Sequence, residues 1–439
     1  MTDESSRSAY LAWITADEEL IDEMRELCSS AGYKLIGEIR QKRRRPDPKY
    51  YLGPGKIKEV KEGDDAEYLI IARELTPAQM YNISSVTGYT VVDRTRVILD
   101  IFRRRASSPE ARLQLEIADL QYQMPLMREY IHQGKLSERP GFMAGGEYKI
   151  DYYYELSKQR ISQLKEELEN LRKKRDVRRK QRKRRGAHTV SIAGYTNAGK
   201  STLMNRLMDP QNENKTAEEG GSMFTTIATT TRSMKGSRNC IITDTVGFIS
   251  DLPPWLVEGF MSTLEEIFSS EVVILVIDAS DNDKEISRKI EDSISFLREG
   301  GTKGKVLLVL NKMDLVEEEN EKVIEKVNGL MDEEDSTMVS DIVPVSAYEG
   351  KGIEELIDGI HDQLPPRIPV RFMLPPKQGL EELLSEIRKD REVLFRTSSD
   401  GTLVVDVEME ERWARSIGKK LERIGGSYTL KDKGCLEKS

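Results

Sequence analysis

The sequence predicts an α/β protein whose main domain is a mostly parallel sheet with helices on both faces. A small α/β domain and a long antiparallel helical hairpin precede it, and a small α+β domain follows. Three observations lead there. Apolar runs of strand length recur between about 187 and 367 with helix-like segments between them. One of those runs opens directly into a glycine-flanked loop and a helix. Upstream, two long stretches carry apolar residues at heptad spacing.

Taken in order, residues 1–105 alternate amphipathic segments with short apolar strands such as Tyr33–Ile39, Glu67–Ile71 and Thr90–Val92. Such alternation predicts a small α/β domain with a mostly parallel sheet. Residues 106–185 change pattern. Leu113, Ile117, Leu120, Met124, Met127 and Ile131 follow one another at spacings of 4, 3, 4, 3 and 4, the seam of a helix that buries one stripe. Pro125 falls inside that helix and is expected to bend it. A turn-rich stretch from Gly134 to Gly146 then leads to a second seam through Tyr154, Ile161, Leu164, Leu168 and Leu171. Two such helices joined by one loop predict an antiparallel hairpin with its tip near 134–147. Residues 186–367 hold the buried-strand candidates Thr189–Ala193, Cys240–Thr243, Val272–Ile277, Lys305–Leu310 and Ile342–Val345. Residues 368–439 show strand-like Val370–Met373 and Thr402–Val407 flanking amphipathic helices, and no motif with legible chemistry.

The charge is unevenly spread. From Arg172 to Arg185 eleven Lys or Arg stand against one Asp, a local +10. With −8 for the whole chain, the remainder carries −18. One basic element on an otherwise acidic protein predicts a polyanionic partner, with a solvated helix face as the plain alternative. Cys28, Cys240 and Cys435 lie far apart without metal-like spacing and read as reduced, intracellular residues. No apolar run has the length of a membrane span, and the N-terminus is polar and acidic. A cytoplasmic protein is the expectation.

The loop Gly194-Tyr195-Thr196-Asn197-Ala198-Gly199-Lys200-Ser201 fits the phosphate-binding pattern G-x-x-x-x-G-K-[ST], follows an apolar strand and precedes a helix-like Ser201–Leu207. Its glycines let successive backbone N–H groups face phosphate oxygens at a helix N-terminus. Lys200 is expected to neutralise the β- and γ-phosphates, Ser201 to ligate Mg²⁺, and Thr202 to lie in the same turn. Asp244-Thr245-Val246-Gly247 follows the strand Cys240–Thr243. Asp244 is expected to hold Mg²⁺ through water and the Gly247 N–H to meet the γ-phosphate.

Asn311-Lys312-Met313-Asp314 decides the base. A carboxylate at Asp314 can accept from both N1–H and the 2-amino group of guanine, whereas adenine would leave it unpaired. Ser346-Ala347, after the strand Ile342–Val345, is placed to meet the guanine from behind. These motifs in order predict a GTPase that binds GTP and GDP. Between the first two lies Phe224-Thr225-Thr226, then Thr229-Thr230-Thr231-Arg232. Thr226 is the expected switch threonine completing the Mg²⁺ shell, with Thr225 and Thr230 as alternatives. Ras-like enzymes place a water-orienting Gln directly after the D-x-x-G motif. Here that residue is Phe248, so slow intrinsic hydrolysis and outside stimulation are expected. Asn197 is a candidate for holding K⁺ against the phosphates, with a structural Asn in a tight loop as the alternative.

The flanking sequence resembles the HflX family. Asp244-Thr-Val-Gly-Phe-Ile-Ser-Asp-Leu-Pro253 carries the likeness, with Phe260 and Ser262-Thr263-Leu264-Glu265-Glu266 after it. So do Val92-Asp93-Arg94-Thr95-Arg96-Val97-Ile98-Leu99-Asp100-Ile101-Phe102, Leu115-Glu116-Ile117-Ala118, Leu120-Gln121-Tyr122, Pro125 and the Gly53-Pro54-Gly55-Lys56 turn. The likeness runs from about 30 to 365 and is weak beyond 370. It implies a GTPase that binds the ribosome, mainly its large subunit and rRNA, and takes part in splitting or rescuing stalled or idle ribosomes. By the same resemblance the hairpin tip is directed at the peptidyl-transferase centre. Where the family has an Arg-Gly-Pro-Gly-Glu core, this chain has Arg139-Pro140-Gly141-Phe142-Met143-Ala144-Gly145-Gly146-Glu147 and keeps only parts of it. The competing expectation is a regulatory switch that docks a protein effector through the hairpin. A monomer is expected, on the premise that the apolar seams are satisfied within the hairpin.

Overall fold

The computed structural model describes residues 7–60, 66–106, 108–137, 145–184, 187–208, 230–235, 240–244, 247–248, 256, 265–375, 380–387, 393–397 and 402–430. The chain divides into two compact units, the first built mainly from residues up to Arg175 and the second mainly from Asp176 onward.

The first unit opens with a strand that the sequence pattern missed. β1 (Arg7–Ile14) is apolar almost throughout, without the alternation that marks a half-buried strand. It lies at the centre of a four-stranded sheet, between β2 (Tyr33–Gln41) and β3 (Tyr68–Ile71), with β4 (Thr90–Val92) outermost. Every pairing is parallel, and a strand buried on both faces reads as a continuous apolar run. Helices α1 (Ile21–Ala31), α2 (Pro54–Val60), α3 (Pro77–Thr87) and α4 (Arg94–Arg105) make the connections. The Thr76 hydroxyl accepts from the Gln79 N–H, and the Gln79 side chain accepts from the Thr76 N–H, a reciprocal cap that fixes where α3 starts. Gly53, Pro54 and Gly55 form the entry to α2 and are part of this domain, not of a nucleotide loop.

Helix α5 (Pro109–Ser137) remains helical through Pro125. It has two buried faces where the heptad pattern gave one. Leu113, Ile117 and Leu120 pack on Ile161, Leu164 and Leu168 of α6 (Gly145–Arg184), as the seams predict. Tyr122 and Leu126 instead join the core of the parallel sheet, and the Tyr122 hydroxyl donates to the buried Asp93 carboxylate at 2.9 Å. Asp119 of α5 pairs with Arg96 and Arg103 of α4. Further along, Met127 is 47% exposed, so the seam is not closed at that position, while Met124 is half-buried. Of the hairpin tip expected at 134–147, residues 138–144 lie outside the described residues.

The second unit contains a six-stranded sheet in the order β10-β9-β8-β5-β7-β6. β5 (His188–Gly194), β7 (Cys240–Asp244), β8 (Val272–Asp278), β9 (Lys305–Asn311) and β10 (Val339–Pro344) are parallel. β6 (Thr230–Ser233) adds an antiparallel edge, so Thr230 lies in a strand with its backbone opposite Asp244. Val272 to Ile277 are all essentially inaccessible, which makes β8 the buried middle of the sheet.

A second, four-stranded antiparallel sheet closes the chain: β11 (Arg367–Leu374), β12 (Val393–Thr397), β13 (Leu403–Glu410) and β14 (Ser427–Leu430) in the order β12-β13-β11-β14. Helices Glu381–Ile387 and Glu411–Arg423 complete a β-α-β-β-α-β, ferredoxin-like succession. His188 bonds at both ring nitrogens, to Glu271 at the foot of β8 and to Glu410 at the end of β13.

The basic run is partly engaged by the protein itself. Arg175 pairs with Glu110 at 2.8 Å, and Arg179 reaches both Asp176 and the Ser269 hydroxyl. The local +10 therefore overstates the charge free for a partner. Cys28 and Cys240 are buried and are not joined in a disulfide; Cys435 lies outside the described residues.

Candidate functional site

The site is built at the carboxyl ends of the parallel strands, where an open α/β sheet places its ligand crevice. β5 runs into Gly194 at φ 139°, and a Cβ there would lie 2.3 Å from the Val276 carbonyl oxygen on β8. Only glycine lets the two strands approach this closely. The loop then turns through Asn197 at φ 63° and Gly199 at φ 88°, and helix α7 (Lys200–Leu207) starts one residue earlier than the sequence suggested. Asn tolerates the left-handed conformation better than most residues, which gives Asn197 a local reason to be there.

Lys200 is buried, and its ammonium donates to the Tyr195 carbonyl oxygen at 2.5 Å. Burial pushes its pKa down to about 8, against the opposing pull of Asp244. A buried cation folded back on its own loop is poised to turn to an anion brought into that loop. The Ser201 hydroxyl donates to the Asp244 carboxylate at 3.3 Å, and Asp244 is fully inaccessible at the end of β7. This hydroxyl and carboxylate are hard oxygens converging beside the lysine. Thr202 follows in the first turn of α7. A Cβ on Gly247 would fall 2.8 Å from the Lys200 Nζ and 3.2 Å from the Thr196 Cα, so the D-x-x-G glycine closes over the phosphate loop. Phe248 continues that closure: its N–H donates to Gly194 O and its carbonyl accepts from the Thr196 N–H. Its ring packs edge-on against Tyr195 and Phe296. Thr226 lies outside the described residues.

At the other end of the crevice, Asn311 has a task that the sequence did not reveal. Its amide donates to the Ala198 carbonyl at 2.8 Å and accepts from the Ala347 N–H at 3.0 Å. It is 2% exposed, so it joins the phosphate loop to the loop after β10. Lys312 takes φ 66° and its ammonium pairs with Asp278 at 2.5 Å. Asp314 is exposed, with one carboxylate oxygen accepting from the buried Ser346 hydroxyl at 2.5 Å. Gly194, Lys200, Ser201, Asp244, Gly247, Asn311, Asp314, Ser346 and Ala347 are thus brought together by a chain of contacts at the carboxyl ends of the parallel strands. Sequence reasoning missed Arg206, which reaches the Ala347 and Tyr348 carbonyls from α7. No motif marks it, because its contact lies 141 residues away.

Three family models match along the chain: a GTP-binding GTPase N-terminal region over residues 18–103, its middle region over 105–182, and a 50S ribosome-binding GTPase over 189–312. GTPase HflX of Thermococcus kodakarensis is 40% identical over 395 residues, covering 89% of this chain and 86% of the relative. The chain belongs to the HflX GTPase family. GTPase HflX of Thermofilum pendens is 39% identical over 407 residues, covering 89% of this chain and 91% of that one. HflX relatives therefore align beyond the span 30–365 expected from motifs alone. The crystal structure of SsGBP in complex with GDP is 26% identical, covers 81% of this chain and 98% of that chain, and superposes with a TM-score of 0.50. As an HflX-family member the protein binds GTP and GDP and hydrolyses GTP to GDP and phosphate. Among the described residues no helix is long and apolar enough to cross a membrane.

Proposed function

We propose that this HflX-family GTPase acts on the cytoplasmic ribosome, mainly through the large subunit and its rRNA, in splitting or rescue of stalled or idle ribosomes. The observation that carries the reading is Phe248. At the position where a polar side chain would orient the attacking water, a ring is packed against Tyr195 and Phe296, and a phenyl ring can neither accept nor donate a proton. Positioning of water must then come from elsewhere, and the ribosome-binding description of the matched GTPase model supports a ribosomal source.

Within the site, Gly194, Tyr195, Thr196, Asn197, Ala198 and Gly199 present the loop that receives the phosphates. Lys200 turns from the Tyr195 carbonyl to the β- and γ-phosphates, and Thr202 supports the first turn of the helix. Ser201 and Asp244, 3.3 Å apart, fit Mg²⁺, which takes one or two protein oxygens and keeps water and phosphate oxygens around it. Thr226 would complete that set in the GTP state. Bound Mg²⁺ would neutralise charge between the phosphates. The Gly247 N–H meets the γ-phosphate. Asp314, held by Ser346, accepts from the guanine N1–H and 2-amino groups, with Lys312 flanking the base and Asn311 and Ala347 fixing the distance between base and phosphate loops. Lys200, Thr226 and Gly247 are the residues assigned to the reacting phosphate.

The test is GTP turnover with and without purified large subunits from the source organism, in K⁺ buffer. A rise of about tenfold or more, equal to about 1.4 kcal/mol of barrier, is the expected outcome. An unchanged rate would refute ribosomal stimulation and favour a protein effector. Exchanging K⁺ for Na⁺ in the same assay tests Asn197: equal rates would remove K⁺ from the site.

A further inference from the structure

Arg206 lies in the last turn of α7, outside every nucleotide-binding motif. Its Nε donates to the Ala347 carbonyl oxygen at 2.9 Å, and a terminal nitrogen donates to the Tyr348 carbonyl. No carboxylate among the described residues pairs with it. The residue is exposed, so its side chain adds no core packing. The loop it grips is the one whose other side is held by Asn311, through the Ala347 N–H. Two struts of different origin therefore fix Ser346-Ala347-Tyr348. Asn311 reaches it from within the sheet and is tied to the phosphate loop at Ala198. Arg206 reaches it from the helix that begins with Lys200 and Ser201.

We propose that Arg206 is a positioning residue for nucleotide binding, holding the guanine loop at a preset distance from the helix that carries Lys200 and Ser201. The proposal rests on the reading of Asp314, Ser346 and Ala347 as the base-recognising group. A guanidinium suits the task because its planar fork offers two donors in fixed geometry, which an ammonium does not. Two carbonyls of one tight turn, met by one fork, cannot shift without breaking both bonds. Since Ser346 in turn orients Asp314 at 2.5 Å, movement of the turn would misplace the carboxylate that distinguishes guanine. Binding of both GTP and GDP draws on this preorganisation, whereas the reacting phosphate does not touch Arg206. Loss of Arg206 should therefore raise KM and speed product release while leaving kcat close to its original value.

The experiment uses the full chain with Arg206→Ala and Arg206→Lys. A fluorescent GDP analogue reports release, and steady-state turnover is measured with GTP and with ITP, which lacks the 2-amino group. Release about tenfold faster, KM for GTP raised by a similar factor, kcat within about twofold and a narrowed preference for GTP over ITP are the expected results. Unchanged release and KM in Arg206→Ala, or a fall in kcat with no rise in KM, would overturn the proposal. If Arg206→Ala shows no cooperative melting, the same criteria are applied to Arg206→Lys, which keeps the charge at the helix end. Asp314→Asn separates the two levels of the argument. If it abolishes the preference for GTP over xanthosine triphosphate while Arg206→Ala changes nothing, only the Arg206 role fails. If Asp314→Asn keeps that preference, the base-site reading fails and takes the Arg206 role with it.

Discussion

Replacing His188 by Gln should weaken the second unit by an amount that the geometry sets. The imidazole is largely buried between the Glu271 and Glu410 carboxylates. Burial alone would lower its pKa, but the hydrogen bonds to Glu271 and Glu410 outweigh that and raise it to about 9. The folded value thus lies above the unfolded value of about 6.5. Stabilisation from the cation is complete below pH 6.5 and is lost as pH rises through about 9. A rise from 6.5 to about 9 corresponds to roughly 3 kcal/mol, most of it present at pH 7. His188→Gln removes the charge and leaves two carboxylates facing one another, so the deficit at pH 7 should be about 3 kcal/mol or more. Urea unfolding between pH 6 and 10, followed by the fluorescence of Trp413, reads it directly. Trp413 belongs to the last helix and packs on the core of the second sheet. The difference between the original protein and His188→Gln should be greatest at pH 6 and should shrink toward pH 10. A difference that does not change with pH would refute the assignment of a buried cation, because a neutral imidazole contributes equally at both ends of that range.

Other outcomes follow from the nucleotide crevice. Lys200, with its pKa near 8, must be protonated to pair with phosphate, so GTP affinity should be flat below pH 8 and fall about tenfold by pH 9; Lys200→Ala should weaken binding and flatten the profile, as titration calorimetry would measure. Asn311→Ala leaves the Ala198 carbonyl and Ala347 N–H without their partner, at about 1–3 kcal/mol for each buried group. A lower Tm and weaker binding of both GTP and GDP are expected, and unchanged GDP affinity would argue against the bridge. Gly247→Ala places a methyl against Lys200 Nζ and the Thr196 backbone; GTP hydrolysis should fall by at least tenfold, read by phosphate release, with GDP binding little affected.

The geometry of the loop was legible in the residues because it is local. The tight turn after β5 needs Gly194 and Gly199 at positive φ, and Asp314, the residue proposed to read guanine, stands just beyond the buried strand β9. Period and spacing also marked the five parallel strands of the main sheet and both helices of the hairpin. What sequence alone could not determine depends on partners distant along the chain. β1 carries no alternation because it is covered on both faces, so its apolar run had no period to detect. The heptad seam of α5 gave one face, but the second, through Tyr122 and Asp93, exists only once the parallel sheet lies alongside. Charge counting gave +10 for a basic run whose Arg175 and Arg179 are engaged by Glu110, Asp176 and Ser269. Asn311, Arg206 and His188 each act by joining segments that the sequence holds far apart. Local pattern fixes which groups are available for chemistry; only tertiary packing sets the distances between them, since those distances come from strand order, loop closure and burial that no single segment contains.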